Sequence, residues 1–105
     1  MERIAVLVAS NPGTPAAGRA FQLVRDLSAQ GHQITLVLLE DAVVGSTGRL
    51  SEVPLEQSTA VMVLAEDLAL RGIDLAGLHP ACRSCTYAEI TDQVMAKNDR
   101  TLGAF

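Results

Sequence analysis

Residues Ile4 to Leu39, IAVLVASNPGTPAAGRAFQLVRDLSAQGHQITLVLL, decide the fold. The two ends, Ile4–Ala9 and Ile34–Leu39, are continuous apolar runs rich in Val and Ile apart from Thr35. Continuous rather than alternating hydrophobicity marks strands covered on both faces, which in practice means a parallel sheet. Between them Asn11–Pro12–Gly13 is a turn and Thr14 an N-cap. Pro15 takes the first helical position, where its missing N–H costs nothing. Ala20, Leu23, Val24 and Leu27 recur at helical spacing with Phe21 beside them, and Gly31 stops the helix. Strand, capped helix and strand within 36 residues form a right-handed βαβ unit.

Working outward, Ala60–Ala65 (AVMVLA) is a third apolar run. Glu66–Arg71 reads as a short helix with acids at its start and a cation near its end, matching the macrodipole, and Gly72 closes it. Thr86–Tyr87–Ala88–Glu89 has the form of a capping box. The helix it opens runs to about Lys97, with Tyr87, Ile90, Thr91 and Val94 on one face and Met95 at its edge. Asp41–Gly48 is expected to be mostly loop with a short helical turn, and Glu52–Gln57 a weak turn around Pro54. A fourth strand is expected around Ile73–Leu78 and a short last one over Thr101–Phe105. The reading is one α/β domain over residues 1–105: a three-layer sandwich of about five mostly parallel strands, in the order 2-1-3-4-5, with helices on both faces.

At 105 residues the chain fits one domain with one core. Apolar residues make up 49% and charged residues 19%, so it is not a disordered chain. The net charge is −4, with a single Lys (Lys97) and no cluster among the Arg residues, so no direct nucleic-acid partner is expected. The apolar runs of about six residues fall far short of the roughly 20 that span a bilayer, so no membrane is expected. Met1–Glu2–Arg3 leads straight into a strand, so no signal peptide is visible. The expectation is a cytoplasmic protein with Cys82 and Cys85 as thiols.

The pair Cys82–Arg83–Ser84–Cys85 stands out for chemistry. Cys85 lies just before the N-cap Thr86, where free N–H groups and the dipole favour thiolate, and Arg83 adds a cation. On that reading Cys85 has the lower pKa of the two and Cys82 is the resolving thiol, able to close a disulfide. The competing reading is two small buried hydrophobes beneath the helix start. A metal reading adds His79, giving His79-x-x-Cys82-x-x-Cys85 without its fourth ligand, while Pro80 argues that His79 is a turn residue. Ser10, Asn11 and Thr14 line the loop after the first strand, where open α/β folds bind anions and cofactors. The same residues also read as a turn plus N-cap. Neither glycine-rich phosphate fingerprint is present, and no cofactor is expected. Glu40–Asp41 and Glu66–Asp67 each follow a strand, so both acidic pairs should face one edge of the sheet, as acid/base groups or as helix starts and solvated loops. His32 reads as a loop residue leading into the second strand.

Val61–Ile73 (VMVLAEDLALRGI) and Tyr87–Phe105 (YAEITDQVMAKNDRTLGAF), with Gly31–His32 entering the second strand and Leu38–Val43 (LLEDAV) leaving it, resemble the DsrE/DsrF/DsrH sulfur-relay superfamily. The resemblance implies a small flavodoxin-like subunit that works with other sulfur-relay proteins and assembles as a homo-oligomer, a trimer, hexamer or dimer. Members of the superfamily pass persulfide sulfur between cysteines. The carrier cysteine of DsrE-type subunits falls on Leu64 here, eight residues before Gly72. A second carrier position, near the chain end in DsrH-type subunits, meets Gly103–Ala104–Phe105. Two functions therefore stand: a persulfide carrier using Cys82 and Cys85, or a non-catalytic assembly, small-ligand or metal-binding subunit whose cysteines are structural.

Overall fold

In the computed structural model, which describes residues 1–103, the opening βαβ unit forms as its sequence dictates. Strand β1 (Arg3–Val8) leads into helix α1 (Pro15–Ala29) and parallel strand β2 (Gln33–Leu38). Thr14 Oγ1 accepts the Ala17 N–H at 3.3 Å, Pro15 opens the first turn, and Gly31 leaves the helix at a φ of 91°. A 3-10 segment (Glu40–Thr47), β3 (Ala60–Leu64), α2 (Ala65–Leu70), a 3-10 turn (Leu75–Gly77), β4 (Cys82–Cys85), α3 (Tyr87–Ala96) and β5 (Arg100–Leu102) follow.

Every strand pairing is parallel, but the order is β4-β3-β2-β1-β5 rather than 2-1-3-4-5. Burial explains the difference. The order 2-1-3-4-5 would expose QITLVL of β2 at an edge, whereas the observed order keeps β1, β2 and β3 inside and gives the edges to polar CRSC and RTL. The fourth strand is also displaced, from Ile73–Leu78 to Cys82–Cys85. Asp74 instead caps the 3-10 turn, its Oδ1 accepting the Ala76 N–H at 3.0 Å. Of the expected last strand, Arg100–Leu102 forms, and Ala104 and Phe105 lie outside the described residues.

Strand side chains alternate between two unequal layers. Ile4, Val6, Val8, Ile34, Leu36, Leu38, Val61 and Val63 meet α1 through Ala17, Ala20, Phe21 and Val24. Ala42 and Val43 of the 3-10 segment, Val53 and Leu55 of the next loop, and Leu68 of α2 complete that layer. The segment read as loop over Asp41–Gly48 is thus helical and core-bearing. It ends at Gly48, where φ is 79° and a Cβ would stand 2.7 Å from the His79 ring. The opposite face carries Val37, Met62, Leu64 and Cys85, with Leu7 and Leu39 at its margin, and among the described residues α3 is the helix that covers it, through Ile90 and Val94. Tyr87 (68% exposed) and Met95 (80%) flank a groove of about 240 Å³ over Leu7 and Leu39. No helix among the described residues is long and apolar enough to cross a membrane.

The two layers fix where the sheet reverses. Connections leaving β1, β2 and β3 cross the α1 face, and the one leaving β4 crosses the α3 face. The crevice that open α/β sheets use for ligands therefore opens at the carboxyl ends of β3 and β4, where Leu64 pairs with Cys85.

Candidate functional site

Cys85 ends β4 one residue before the N-cap of α3. The capping box forms as read: Glu89 N–H donates to Thr86 Oγ1 at 3.1 Å, and Thr86 N–H to Glu89 Oε1 at 3.0 Å. Hydrogen bonds to the carboxylate from the Thr86 backbone N–H and the Thr86 hydroxyl, followed by nearby Arg83, hold the Glu89 carboxyl below its ordinary value. Arg83 lies 3.5 Å from Glu89 Oε2 on the surface. Cys85, on the same strand face as Arg83, is 1% exposed among Val37, Met62, Leu64 and Ile90, with Sγ 3.4 Å from the Arg83 carbonyl it donates to.

Cys82 is not its partner. Both are strand residues, and three steps of about 3.3 Å separate their Cα atoms by about 10 Å, beyond the roughly 7 Å a disulfide tolerates. An odd spacing also turns the thiols to opposite faces: Cys82 packs against the α1-side core and Cys85 belongs to the α3-side core. The spacing would suit a dithiol on a helix or turn, and β4 removes that geometry. Mild oxidation of the folded protein should accordingly leave its intact mass unchanged. Loss of two hydrogens with closure of an intrachain Cys82–Cys85 bond would contradict the strand placement.

Both thiols also depart from the lowered pKa that the sequence suggested. Burial pushes Cys82 up to about 11. Burial raises Cys85 as well, with Glu89 adding to the rise, and Arg83 and a backbone hydrogen bond from Val63 oppose it. The dipole argument placed Cys85 correctly at the helix start but left out desolvation, which disfavours thiolate on an apolar face.

The set His79, Cys82 and Cys85 does not converge, and no group of three or more His, Cys, Asp or Glu among the described residues could hold a metal. His79 is a turn residue: its Nδ1 accepts the Ala81 N–H at 3.0 Å and its backbone N–H donates to Ser46 at 2.8 Å. In the loop after β1, Asn11 Oδ1 accepts the Gly13 N–H at 3.0 Å and Thr14 Oγ1 donates to the Asn11 carbonyl at 2.7 Å. The polar groups of Asn11 and Thr14 are thus engaged in the turn, and Ser10 follows the strand end beside them. His32 Nδ1 accepts the Glu2 N–H at 3.0 Å, tying the start of β2 to β1.

The acidic pairs do share the carboxyl edge of the sheet, held by a residue the chemical reading passed over. Arg71 reaches Asp41 Oδ1 at 2.8 Å and the Asp67 carbonyl at 3.3 Å. Buried Asp67 accepts the Glu40 N–H at 2.6 Å and holds Glu40 at a φ of 48°, a costly conformation for a residue with a side chain. The four residues lock the 3-10 segment to α2. The i,i+4 spacing of Asp67 and Arg71 was the available signal.

With this geometry in place, comparison with known proteins gives three findings. A family model described as DsrH like protein matches residues 14–100. Among solved structures, the ychN protein from E. coli superposes with a TM-score of 0.85 at 19% identity, covering 99% of this chain and 100% of that one. A conserved protein of unknown function from Bacteroides thetaiotaomicron gives 0.72 at 10% identity over 97% of this chain and 94% of its own. At those identities the likeness is one of fold. None of the curated proteins matches the sequence.

Proposed function

Because the chain belongs to the DsrH-like family of the DsrE/DsrF/DsrH sulfur-relay superfamily, we propose that it serves as a non-carrier subunit of a relay assembly. On this reading its two cysteines pack as small apolar side chains, and partner subunits hold the persulfide. The observation that carries it is the Cys85 side chain, 1% exposed inside an apolar cluster and turned away from Cys82. Leu64 at the position implied for the DsrE-type carrier agrees with it. The lightly covered α3 face, with Tyr87 and Met95 exposed around an apolar groove, supports assembly with like subunits or relay partners.

A second reading, in which Cys85 alone carries sulfur, has one observation in its favour. Cys85 pairs with Leu64 across β3 and β4, one strand from the implied carrier position and beside the start of α3. The combined variant Cys82→Ala with Cys85→Ala separates the two. In a relay reconstituted with its carrier subunits, a non-carrier subunit keeps sulfur transfer within about twofold of wild type once folding is verified. Loss of transfer to background in a folded, assembled double variant would overturn the proposal and assign the step to a cysteine of this chain.

A further inference from the structure

On the α3 face the sheet is apolar only toward its carboxyl edge. The rung of Leu7, Val37 and Met62 packs beneath Ile90 and Val94 of α3. The rung nearer the amino edge is Ala5, Thr35 and Ala60, and the one beyond it pairs Arg3 with Gln33. Small floor residues meet a half of α3 that carries Gln93 and Lys97 instead of large apolar side chains. The result is a cleft of about 250 Å³, far from the Cys85 end of the sheet, with Thr35 and Ala60 on its floor and Arg3, Gln33, Gln93 and Lys97 among the residues that line it.

The donors of this cleft are underused. Thr35 is a polar residue inside the apolar strand QITLVL, 7% exposed, and its hydroxyl has no partner among the described residues. No side-chain polar atom among those residues is both sealed from solvent and unpaired, so this hydroxyl opens on the cleft. Lys97, the C-cap of α3, makes no ion pair among the described residues. The Arg3 guanidinium stands 3.8 Å from Asp99 Oδ1, a loose exposed contact, while Asp99 Oδ2 accepts the Arg3 N–H at 2.8 Å. The nearby pair of Glu2 and Arg100, at 3.0 Å, is self-compensating. The Gln93 carbonyl at the helix end is already taken by the Lys97 N–H and by Asn98 Nδ2. At the cleft two cations, Lys97 and Arg3, stand against one carboxylate, Asp99, and the carbonyl end of α3, in a chain of net charge −4.

We propose that this cleft binds a small anion presenting several oxygen acceptors, an oxoanion or a carboxylate. Lys97 and Arg3 supply charge, and Thr35, Gln33 and Gln93 supply neutral hydrogen bonds that fix its orientation. An acidic protein repels anions in general, so saturable binding requires a local site of this kind. Charge-assisted donors make up most of the affinity, and a hydroxyl on a rigid strand adds selectivity.

The test is a titration of the isotope-labelled protein with sodium sulfate and, separately, with sodium malonate. Amide chemical shifts are followed at constant ionic strength, so that general screening stays fixed. The expected result is saturation by at least one salt, with shifts concentrated at Thr35, Gln33, Gln93 and Lys97. Sulfate alone would identify an oxoanion site, malonate alone a carboxylate site, and both a site that reads charge and oxygen geometry. Lys97→Gln should weaken binding about tenfold, the loss of one charge-assisted hydrogen bond. Thr35→Val, which leaves the charge unchanged, should weaken it severalfold while the spectrum stays folded. Shifts that rise linearly or scatter over the surface with both salts would overturn the proposal. So would affinity unchanged in both variants.

Discussion

Phe21→Ala is expected to remove about 3–5 kcal/mol of folding stability, a large part of the roughly 5–15 kcal/mol that holds a domain of this kind. Phe21 is completely buried in the middle of α1, in one cluster with Val6, Val24, Leu36 and Leu38. Truncating it withdraws a ring from water-free packing and leaves a cavity that strands β1 and β2, locked in the sheet interior, cannot collapse to fill. Urea denaturation followed by circular dichroism measures the loss directly. Leu70→Ala, at a helical residue 80% exposed, supplies the control and should move stability by no more than about 0.5 kcal/mol. A loss below about 1 kcal/mol for Phe21→Ala would mean that α1 does not seal this face of the sheet.

The second large effect is kinetic. With Cys82 raised from 9.0 to about 11, its thiolate fraction at neutral pH falls about 100-fold relative to the unfolded chain. Thiolate is the reacting form, and its higher basicity restores part of the lost rate, so alkylation of Cys82 by iodoacetamide at pH 7.5 should be slower by about 10- to 100-fold in the folded protein than in urea. Cys85, nearly inaccessible as well as raised, should react only through opening of the structure. The same shift has a signed consequence for stability. A thiol whose folded pKa lies above its unfolded value stabilises the fold fully below pH 9, and that contribution is lost as pH rises from about 9 toward 11. Peptide mapping of partly alkylated protein reads both sites separately. Folded-state labelling of Cys82 as fast as in urea would contradict the burial assigned to it.

Particular residues show which parts of this molecule are written locally. Thr14, Pro15 and Gly31 bracket α1, and Thr86 with Glu89 opens α3. These are short-range hydrogen-bond and backbone effects that one stretch of chain decides alone. Strand order is a competition among all five strands for cover. Polar CRSC and RTL against apolar QITLVL carried that signal, but only when compared with one another. Strand β4 itself has four residues and no hydrophobic period, so its pairing comes from the length of the preceding connection and from β3 beside it. The cysteine spacing suffered most from this. Two intervening residues bring thiols together on a helix and drive them apart on a strand, and the spacing does not say which applies. Thr35 was visible as a hydroxyl in an apolar run. Its significance depends on Gln93 and Lys97, which only the chain crossing brings above it.

We propose that this chain contributes structure rather than a sulfur-carrying thiol to a relay, and persulfide loading separates the two roles. The folded protein is incubated with a small-molecule persulfide donor, desalted and weighed by intact mass spectrometry, with the urea-unfolded chain treated in parallel. The folded protein should keep its unmodified mass while the unfolded chain gains sulfur at its cysteines. Prompt addition of one sulfur atom to the folded protein, mapped to Cys85 and abolished by Cys85→Ala, would contradict the claim and make Cys85 the carrier.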